Sequence, residues 1–161
     1  MVFAGEDRGL AGLLRAGSPE QVDHRALHLG VGEVGHAAAG IKYIGDWVYD
    51  DEPTEIKTKN GPLVTLPYTM ECNDIPVMII QHHEGAYWLQ KCIDQFDRLY
   101  QESAERPKIM AIAIHPYISG QPFRIKYLEQ VYEYIAKFPG VHYWTGEQIL
   151  GWYAKARSQA K

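Results

Sequence analysis

The amino-acid sequence predicts an α/β fold, and three observations in its second half support this prediction. Apolar residues recur at helical spacing between residues 85 and 105, and again between 122 and 138. The apolar run from Ile109 to Ile114 is short and bounded by turn signals, which is typical of a buried strand. A second short run at 141–144 follows the second helix, so strands and helices alternate along the chain.

The composition of the chain changes near Gly40. Tyr, Trp, Lys, Ile, Asn and Thr all occur only after this point, whereas the first segment is rich in Gly, Ala and Leu and has no clear period. Its frequent glycines disfavour a stable helix. We therefore expect residues 1–37 to be an irregular leader, either disordered or read from a different frame, and residues 38–161 to hold the fold.

The elements after Gly40 follow one another in a regular order. A short strand is expected at 41–44, and a turn at Asn60-Gly61 leads into a strand at 63–66. An irregular stretch then precedes the helix at 85–105. In the second helix, Pro122 occupies a favoured first-turn position. Thr145 and Gln148 have the spacing of a capping box, which predicts the start of a last helix.

Composition and charge exclude several classes of protein. The 161 residues suffice for one domain, and the formal net charge of -4 gives no basic surface for nucleic acid. No apolar stretch is long enough to cross a bilayer, and Glu6, Asp7 and Arg8 interrupt any signal-peptide core. We therefore expect a cytoplasmic protein without nucleic-acid or membrane partners. Cys72 and Cys92 form no metal or redox motif and are expected to be buried thiols.

Polar and aromatic residues follow three of the predicted strands. If the strands were parallel neighbours, these ends would meet at one edge, where α/β folds place their chemistry. A histidine there can act as a general acid or base when a carboxylate orients it, although it can also simply cap the strand. The candidate histidine is His115, and its candidate partners are Asp50, Asp51 and Asp74, each of which could instead form a turn or a helix cap. The residues expected to bind substrate at this edge are Asp46, Trp47, Tyr68, Asp74 and Tyr117.

Three further patterns are weaker candidates. In His82-His83-Glu84 the adjacent side chains diverge, so a helix amino terminus is the better interpretation than a metal site. His24 and His28 share the spacing of a helix face and could bind a metal, but they lie in the leader. The match to a dinucleotide fingerprint at Gly30 to Gly35 lacks a preceding strand, so it is treated as a chance match.

Four segments resemble the polysaccharide deacetylase family, and they occur in the order typical of that family. The resemblance covers about residues 37–153 and is nearest to the branch of peptidoglycan deacetylases and allantoinases. The segments are Gly40-Ile-Lys-Tyr-Ile-Gly-Asp-Trp-Val-Tyr-Asp-Asp-Glu-Pro53, Leu66-Pro-Tyr-Thr-Met-Glu-Cys-Asn-Asp74, Phe96-Asp-Arg-Leu-Tyr-Gln-Glu102 and Ile114-His-Pro-Tyr-Ile-Ser-Gly-Gln-Pro122.

This resemblance implies a distorted (β/α) barrel that hydrolyses amides, usually the N-acetyl groups of amino sugars. In such enzymes a divalent metal such as zinc activates water, and a late histidine protonates the leaving amine. His115 matches that histidine. Asp50 or Asp51 resembles the carboxylate-bearing loop near the substrate, and Asp74 resembles a further pocket position.

The family's metal-binding segments have no counterpart in this chain. The metal is therefore expected for the full-length family, with its ligands absent here, and the chain resembles the carboxyl-terminal part of a barrel. We expect an amide hydrolase that carries the general-acid half of its site and acts on an N-acetylated sugar or small amide. The alternatives are an allantoinase-type cyclic amide hydrolase and a non-catalytic fragment. Unpaired strand edges in half a barrel also favour association with a second copy.

Overall fold

The computed structural model describes residues 2–4, as backbone, and residues 39–159. The chain divides into two compact units. The helical unit contains residues 2–4 and Tyr68–Tyr143, and the hairpin unit contains residues 39–67 and 144–159. Each unit has its own sheet of three strands. The fold is mixed α/β, as the sequence predicted.

The helical unit is built on a sheet with strand β1 at its centre. β1 (Val2–Ala4) pairs antiparallel with both β5 (Lys108–Met110) and β6 (Val141–Tyr143). Residues 2–4 had been assigned to the irregular leader, and for them that assignment is wrong. Hydrogen bonds along both edges hold this short segment in the sheet, a long-range effect that local composition does not reveal. The remainder of the expected leader, residues 5–38, lies outside the described residues.

Two helices and one π-helix complete the described part of the helical unit. The π-helix spans Ile75–Ile80, α1 spans Gly85–Glu102, and α2 spans Ile125–Ile135. The predicted helix at 85–105 is confirmed, whereas α2 begins three residues after Pro122. Residues 121–124 form turns instead, in which the amides of Arg124 and Ile125 both donate to the carbonyl of Gln121.

The core of the helical unit lies against one face of α1. Its fully buried stripe consists of Trp88, Cys92, Phe96 and Leu99, with Leu89 and Tyr100 only partly buried beside it. These residues pack against the following apolar side chains: Cys72, Val77, Met78, Met110, Ile118, Val131 and Ile135. Both cysteines are buried and unoxidised, as predicted.

The hairpin unit contains the antiparallel pair that Asn60-Gly61 predicted. β3 (Thr54–Thr58) pairs with β4 (Gly61–Thr65), and β4 pairs in parallel with β2 (Tyr43–Ile44) on its other side. The two-residue connection is Lys59-Asn60, so Gly61 is already the first residue of β4. Ile44, Ile56 and Leu63 form the small core of this sheet.

Helix α3 (Gly146–Ser158) follows in the same unit. The hydroxyl of Thr145 accepts from the amide of Gln148 at 3.3 Å, and the Gln148 side chain accepts from the amide of Thr145 at 2.8 Å. The predicted capping box is therefore confirmed. None of the helices within the described ranges is long and apolar enough to cross a bilayer.

The strand expected at 109–114 differs from its prediction in length and in neighbours. β5 ends at Met110, and beyond it Ala113 forms an isolated parallel bridge with Asn73. Residues 108–110 are all buried, whereas burial alternates from Ala111 to Ile114, so the end of the run is covered on one face only. Residues 41–44, 63–66 and 109–114 were expected to form three adjacent parallel strands. The first two pair in parallel, but the expectation is wrong for the third, because β5 belongs to the other sheet and pairs antiparallel with β1.

Candidate active site around His115

His115 lies beside Asp74 because two segments of the helical unit run parallel there. The amide of Asp74 donates to the carbonyl of Ala113 at 3.1 Å, next to the bridge between Asn73 and Ala113. The indole of Trp88 fixes the first of these segments by donating to the carbonyl of Cys72 at 3.2 Å in the core. Backbone pairing and helix packing therefore bring together two residues that lie 41 positions apart.

The Asp74 carboxylate accepts three short hydrogen bonds. Oδ1 lies 2.6 Å from Nδ1 of His115, and Oδ2 lies 2.7 Å from the backbone nitrogen of the same residue. The hydroxyl of Ser119 also donates to Oδ2, at 2.7 Å. Asp74 is fully buried, whereas about a third of the His115 side chain (32%) is exposed. Charge-assisted bonds of this length are the strong class of protein hydrogen bond.

The contact with Asp74 determines how the His115 ring can exchange protons. An ionised carboxylate offers only acceptors, so Nδ1 must carry the hydrogen of the bond to Oδ1. Nε2 is then the ring nitrogen that can take up or release a proton. A partly exposed imidazole with one nitrogen fixed by a buried carboxylate is the arrangement expected of a general acid or base.

Of the three candidate carboxylates, Asp74 is the one bonded to His115. Asp74 had been expected to contact the substrate, but its side chain is fully enclosed and both of its oxygens accept hydrogen bonds within the protein. A direct substrate contact does not fit this geometry.

Two aromatic residues of the helical unit had also been predicted at the site. The Tyr117 ring meets the His115 ring edge to face, with centroids 5.5 Å apart, and 66% of Tyr117 is exposed. Tyr68 is also exposed, directly after Pro67. Tyr117 thus borders the histidine with a free aromatic surface, and substrate binding by both tyrosines stays a prediction.

The remaining predicted site residues lie in the hairpin unit. Asp46 and Trp47 follow β2, and the amide of Trp47 donates to the Thr65 hydroxyl at 3.2 Å. Asp50 and Asp51 lie in the next turn, where the amide of Asp51 donates to the carbonyl of Val48 at 3.0 Å. These four residues are close together in sequence on one loop, and their roles stay predictions.

Of the weaker sequence patterns, the structure describes residues 82–84. Glu84 directly precedes α1 without a side-chain capping bond, and the His83 ring stacks on Tyr87 at 3.9 Å, which confirms that 82–84 lie at a helix amino terminus. Within the described ranges, no three His, Cys, Asp or Glu side chains are grouped so that they could hold a metal ion. His24, His28 and the glycines of the fingerprint lie outside the described residues.

Sequence reasoning missed Ser119, which is buried and bonded to Asp74. A signal was available in the spacing, since Ser119 follows His115 by four residues and one turn of chain places such residues on the same side. Serine is common in loops rich in Pro and Gly, however, so the spacing alone does not separate a site residue from a turn residue.

Comparisons with known proteins agree with the resemblance found in the sequence. A Schizosaccharomyces pombe protein named “Putative polysaccharide deacetylase” is 36% identical over 98 residues, which cover 58% of this chain and 30% of that protein. The structure of PuuE allantoinase matches 76% of the chain and 42% of its own length, with 29% identity and a TM-score of 0.70. A structure described as “probable Polysaccharide deacetylase from Pseudomonas aeruginosa PAO1” matches 74% of the chain and 40% of its own length, with 30% identity and a TM-score of 0.65.

The comparisons also define how far the similarity extends. No family model matches the chain. The chain spans about a third of the length of the yeast relative (30%) and less than half of each of the two solved structures (42% and 40%). In sequence and in fold this chain resembles the polysaccharide deacetylases, over a part of their length that fits a carboxyl-terminal portion.

Proposed function

We propose that this chain carries the general-acid part of a polysaccharide deacetylase-like site that hydrolyses the N-acetyl amide of amino sugars. The observation that carries the proposal is the bond between the buried Asp74 carboxylate and Nδ1 of His115, which leaves Nε2 as the ring nitrogen for proton exchange. The similarity to named polysaccharide deacetylases supports the class of reaction. In the whole protein, the described elements would form part of a distorted (β/α) barrel.

In the proposed reaction, water adds to the amide carbonyl and the carbon–nitrogen bond then breaks. An amine is a poor leaving group unless it is protonated as it departs. His115 would donate the proton from Nε2 to that nitrogen and regain the proton that the attacking water releases, and Asp74 would hold the ring in place. The products are acetate and the free amino sugar. Asp74 is thus proposed as the orienting carboxylate in place of the substrate contact first expected.

The other predicted residues are assigned by the resemblance. Asp50 and Asp51 are proposed as the carboxylates of the catalytic loop, and Asp46, Trp47 and Tyr68 as substrate-binding residues. The exposed ring of Tyr117 beside His115 suits contact with the apolar face of a sugar ring.

A divalent metal remains part of the proposal for the whole protein. Because the described residues offer no group of three ligands, they do not fit such an ion, and no step above depends on one.

The test is release of acetate from N-acetylated chitooligosaccharides by this chain, measured with and without added Zn²⁺. We expect His115→Ala to lower the rate by a factor of about 100 or more, the usual contribution of a general acid. His142→Ala is the matched control, because it removes an exposed histidine of β6 in the same unit and should leave the rate unchanged. Full activity of His115→Ala would contradict the proposal.

The second candidate is hydrolysis of a cyclic amide, which the structural match to PuuE allantoinase favours. The same preparations should therefore be assayed for consumption of allantoin. Turnover of allantoin that depends on His115, without acetate release, would replace the first proposal by the second. Absence of both activities would overturn both for this chain and leave the non-catalytic fragment.

A further inference from the structure

We propose that Ser119 is a positioning residue, which fixes the Asp74 carboxylate in the rotation that binds His115. This inference rests on the proposed role of His115 as the general acid. It concerns a residue of the segment 114–122 to which the sequence analysis assigned no role.

All three hydrogen bonds to the Asp74 side chain come from one turn of chain. His115 provides its amide and its Nδ1 hydrogen, and Ser119 provides its hydroxyl. Two of these donors share Oδ2, and the third reaches Oδ1. Rotation about the last side-chain bond of an aspartate is soft, so a carboxylate keeps one orientation only where its donors fix it. The pair of donors on Oδ2 therefore determines where Oδ1 lies relative to the His115 ring.

The path of the backbone explains how Ser119 reaches the carboxylate. The carbonyl of His115 accepts from the amides of Ile118 at 2.8 Å and Ser119 at 3.0 Å, which closes the chain into a tight turn. Gly120 ends the turn in close contact with Pro116, because a Cβ at position 120 would lie 2.4 Å from the Pro116 carbonyl oxygen. A larger residue at 120 would move the turn and the serine with it.

The same geometry argues against Ser119 as a nucleophile. Its side chain is almost fully buried (1% exposed), and its hydrogen is directed to Asp74. In a nucleophilic arrangement the hydroxyl would instead donate to the histidine, with the carboxylate on the far side of the ring. Ser119 acts through Asp74.

The effect of removing the hydroxyl should be specific. In Ser119→Ala the buried Oδ2 would lose one donor, and water has little access to replace it. The carboxylate could then rotate away from Nδ1, and the His115 ring would sample both neutral tautomers.

The test is nitrogen-15 NMR of the His115 ring in the intact chain. In the wild type we expect a protected Nδ1 hydrogen and the shifts of the Nδ1-protonated tautomer. In Ser119→Ala we expect this hydrogen to exchange with water about tenfold faster or more, with ring shifts moved towards a mixture of tautomers. Ser119→Thr keeps the hydroxyl and should restore the wild-type signals, and Ser119→Cys, a weak donor, should be intermediate.

The matched control is Ser103→Ala. Ser103 is in the same unit and donates a hydrogen bond of the same length, 2.7 Å, but to the carbonyl of Tyr100. We expect this variant to leave the His115 signals unchanged. Wild-type signals in Ser119→Ala, or an equal change in Ser103→Ala, would overturn the positioning role.

The outcome is independent of turnover. If the proposed general-acid role of His115 is wrong, acetate release will not require His115, but the NMR signals of its ring will still respond to Ser119→Ala as described. Failure of the positioning role would appear in the ring signals alone.

Discussion

At the scale of single residues, Asp74 combines a structural and a chemical task. Its carboxylate holds the amide of His115 and the hydroxyl of Ser119 as well as the imidazole, inside a fully buried environment. A buried carboxylate is tolerated where donors surround it, because each bond replaces one that water would have made. The site and the fold therefore depend on the same three bonds.

Asp74→Asn should separate these tasks. In Asp74→Asn the side-chain oxygen can still accept from the amide of His115 and from the Ser119 hydroxyl, while its NH₂ faces Nδ1, which must then be the unprotonated ring nitrogen. We expect the free energy of unfolding to fall by about 1 kcal/mol, because the bonds from His115 and Ser119 keep their geometry but lose a charged acceptor. Denaturant unfolding of the purified chain measures this change.

Asp97→Asn is the matched control for that variant. Asp97 accepts from the Tyr134 hydroxyl at 2.8 and 3.1 Å. In Asp97→Asn one donor loses a charged acceptor, whereas in Asp74→Asn three bonds of a buried side chain lose it. Asp97→Asn should therefore destabilise the chain less than Asp74→Asn, and the reverse order would contradict this account of Asp74.

At the scale of elements, glycine has opposite effects on the stability of the β3–β4 hairpin and of helix α3. Gly61 begins β4 at a φ of 114°, a conformation that side chains with a Cβ rarely adopt. Gly151 lies inside α3, where glycine weakens a helix relative to alanine. At both positions an added Cβ would have no atom of the described residues within 4 Å, so we expect backbone preference to decide the effect of a substitution.

The two alanine substitutions should therefore change stability in opposite directions. Gly61→Ala is expected to destabilise by about 1–2 kcal/mol through backbone strain. Gly151→Ala is expected to stabilise by about 0.5–1 kcal/mol. Each variant serves as the control for the other in thermal unfolding, and a shift of the same sign in both would contradict the backbone argument.

At the scale of the whole molecule, a buried cysteine of the core makes the stability of the fold depend on pH. The hydrogen bond with Cys72, together with burial, raises the pKa of the Cys92 thiol. In the unfolded chain a free thiol titrates near pH 8.5. Above that pH the unfolded state has lost a proton that the folded state retains, so stability is complete at lower pH and falls as the pH rises.

We expect the free energy of unfolding to decrease as the pH rises from about 8.5 to 9.5. The slope due to Cys92 should approach about 1.4 kcal/mol per pH unit at the upper end of this range. Denaturant unfolding across this range measures the slope. Cys92→Ala should show a shallower decrease, whatever its stability at neutral pH. Equal slopes in the two proteins would show that Cys92 is not responsible.

Local sequence features predicted much of this fold. The spacing of apolar residues located α1, the capping residues Thr145 and Gln148 located the start of α3, and Asn60-Gly61 indicated the hairpin. Each of these features acts within a few residues of chain, through hydrogen bonds or side-chain contacts that neighbours in sequence can make.

Other features could not be predicted, because they depend on distant parts of the chain. The central position of β1 requires partners more than 100 residues away, in β5 and β6. The end of β5 at Met110 likewise depends on what covers the apolar run that follows. Strand pairing reflects packing and edge availability more than intrinsic preference, so an apolar run gives neither the length nor the neighbours of a strand.

The sequence by itself determined the order of helices α1 to α3 with β5 and β6 between them, the burial of both cysteines and the position of His115 after an apolar run. Only the tertiary structure decided which of the three aspartates is hydrogen-bonded to that histidine. It also decided that Ser119 donates to the same carboxylate. Apolar periodicity is set by local geometry and can be read from neighbouring residues. The choice of Asp74 depends on the crossing of two segments 41 residues apart, which only packing of the whole helical unit determines.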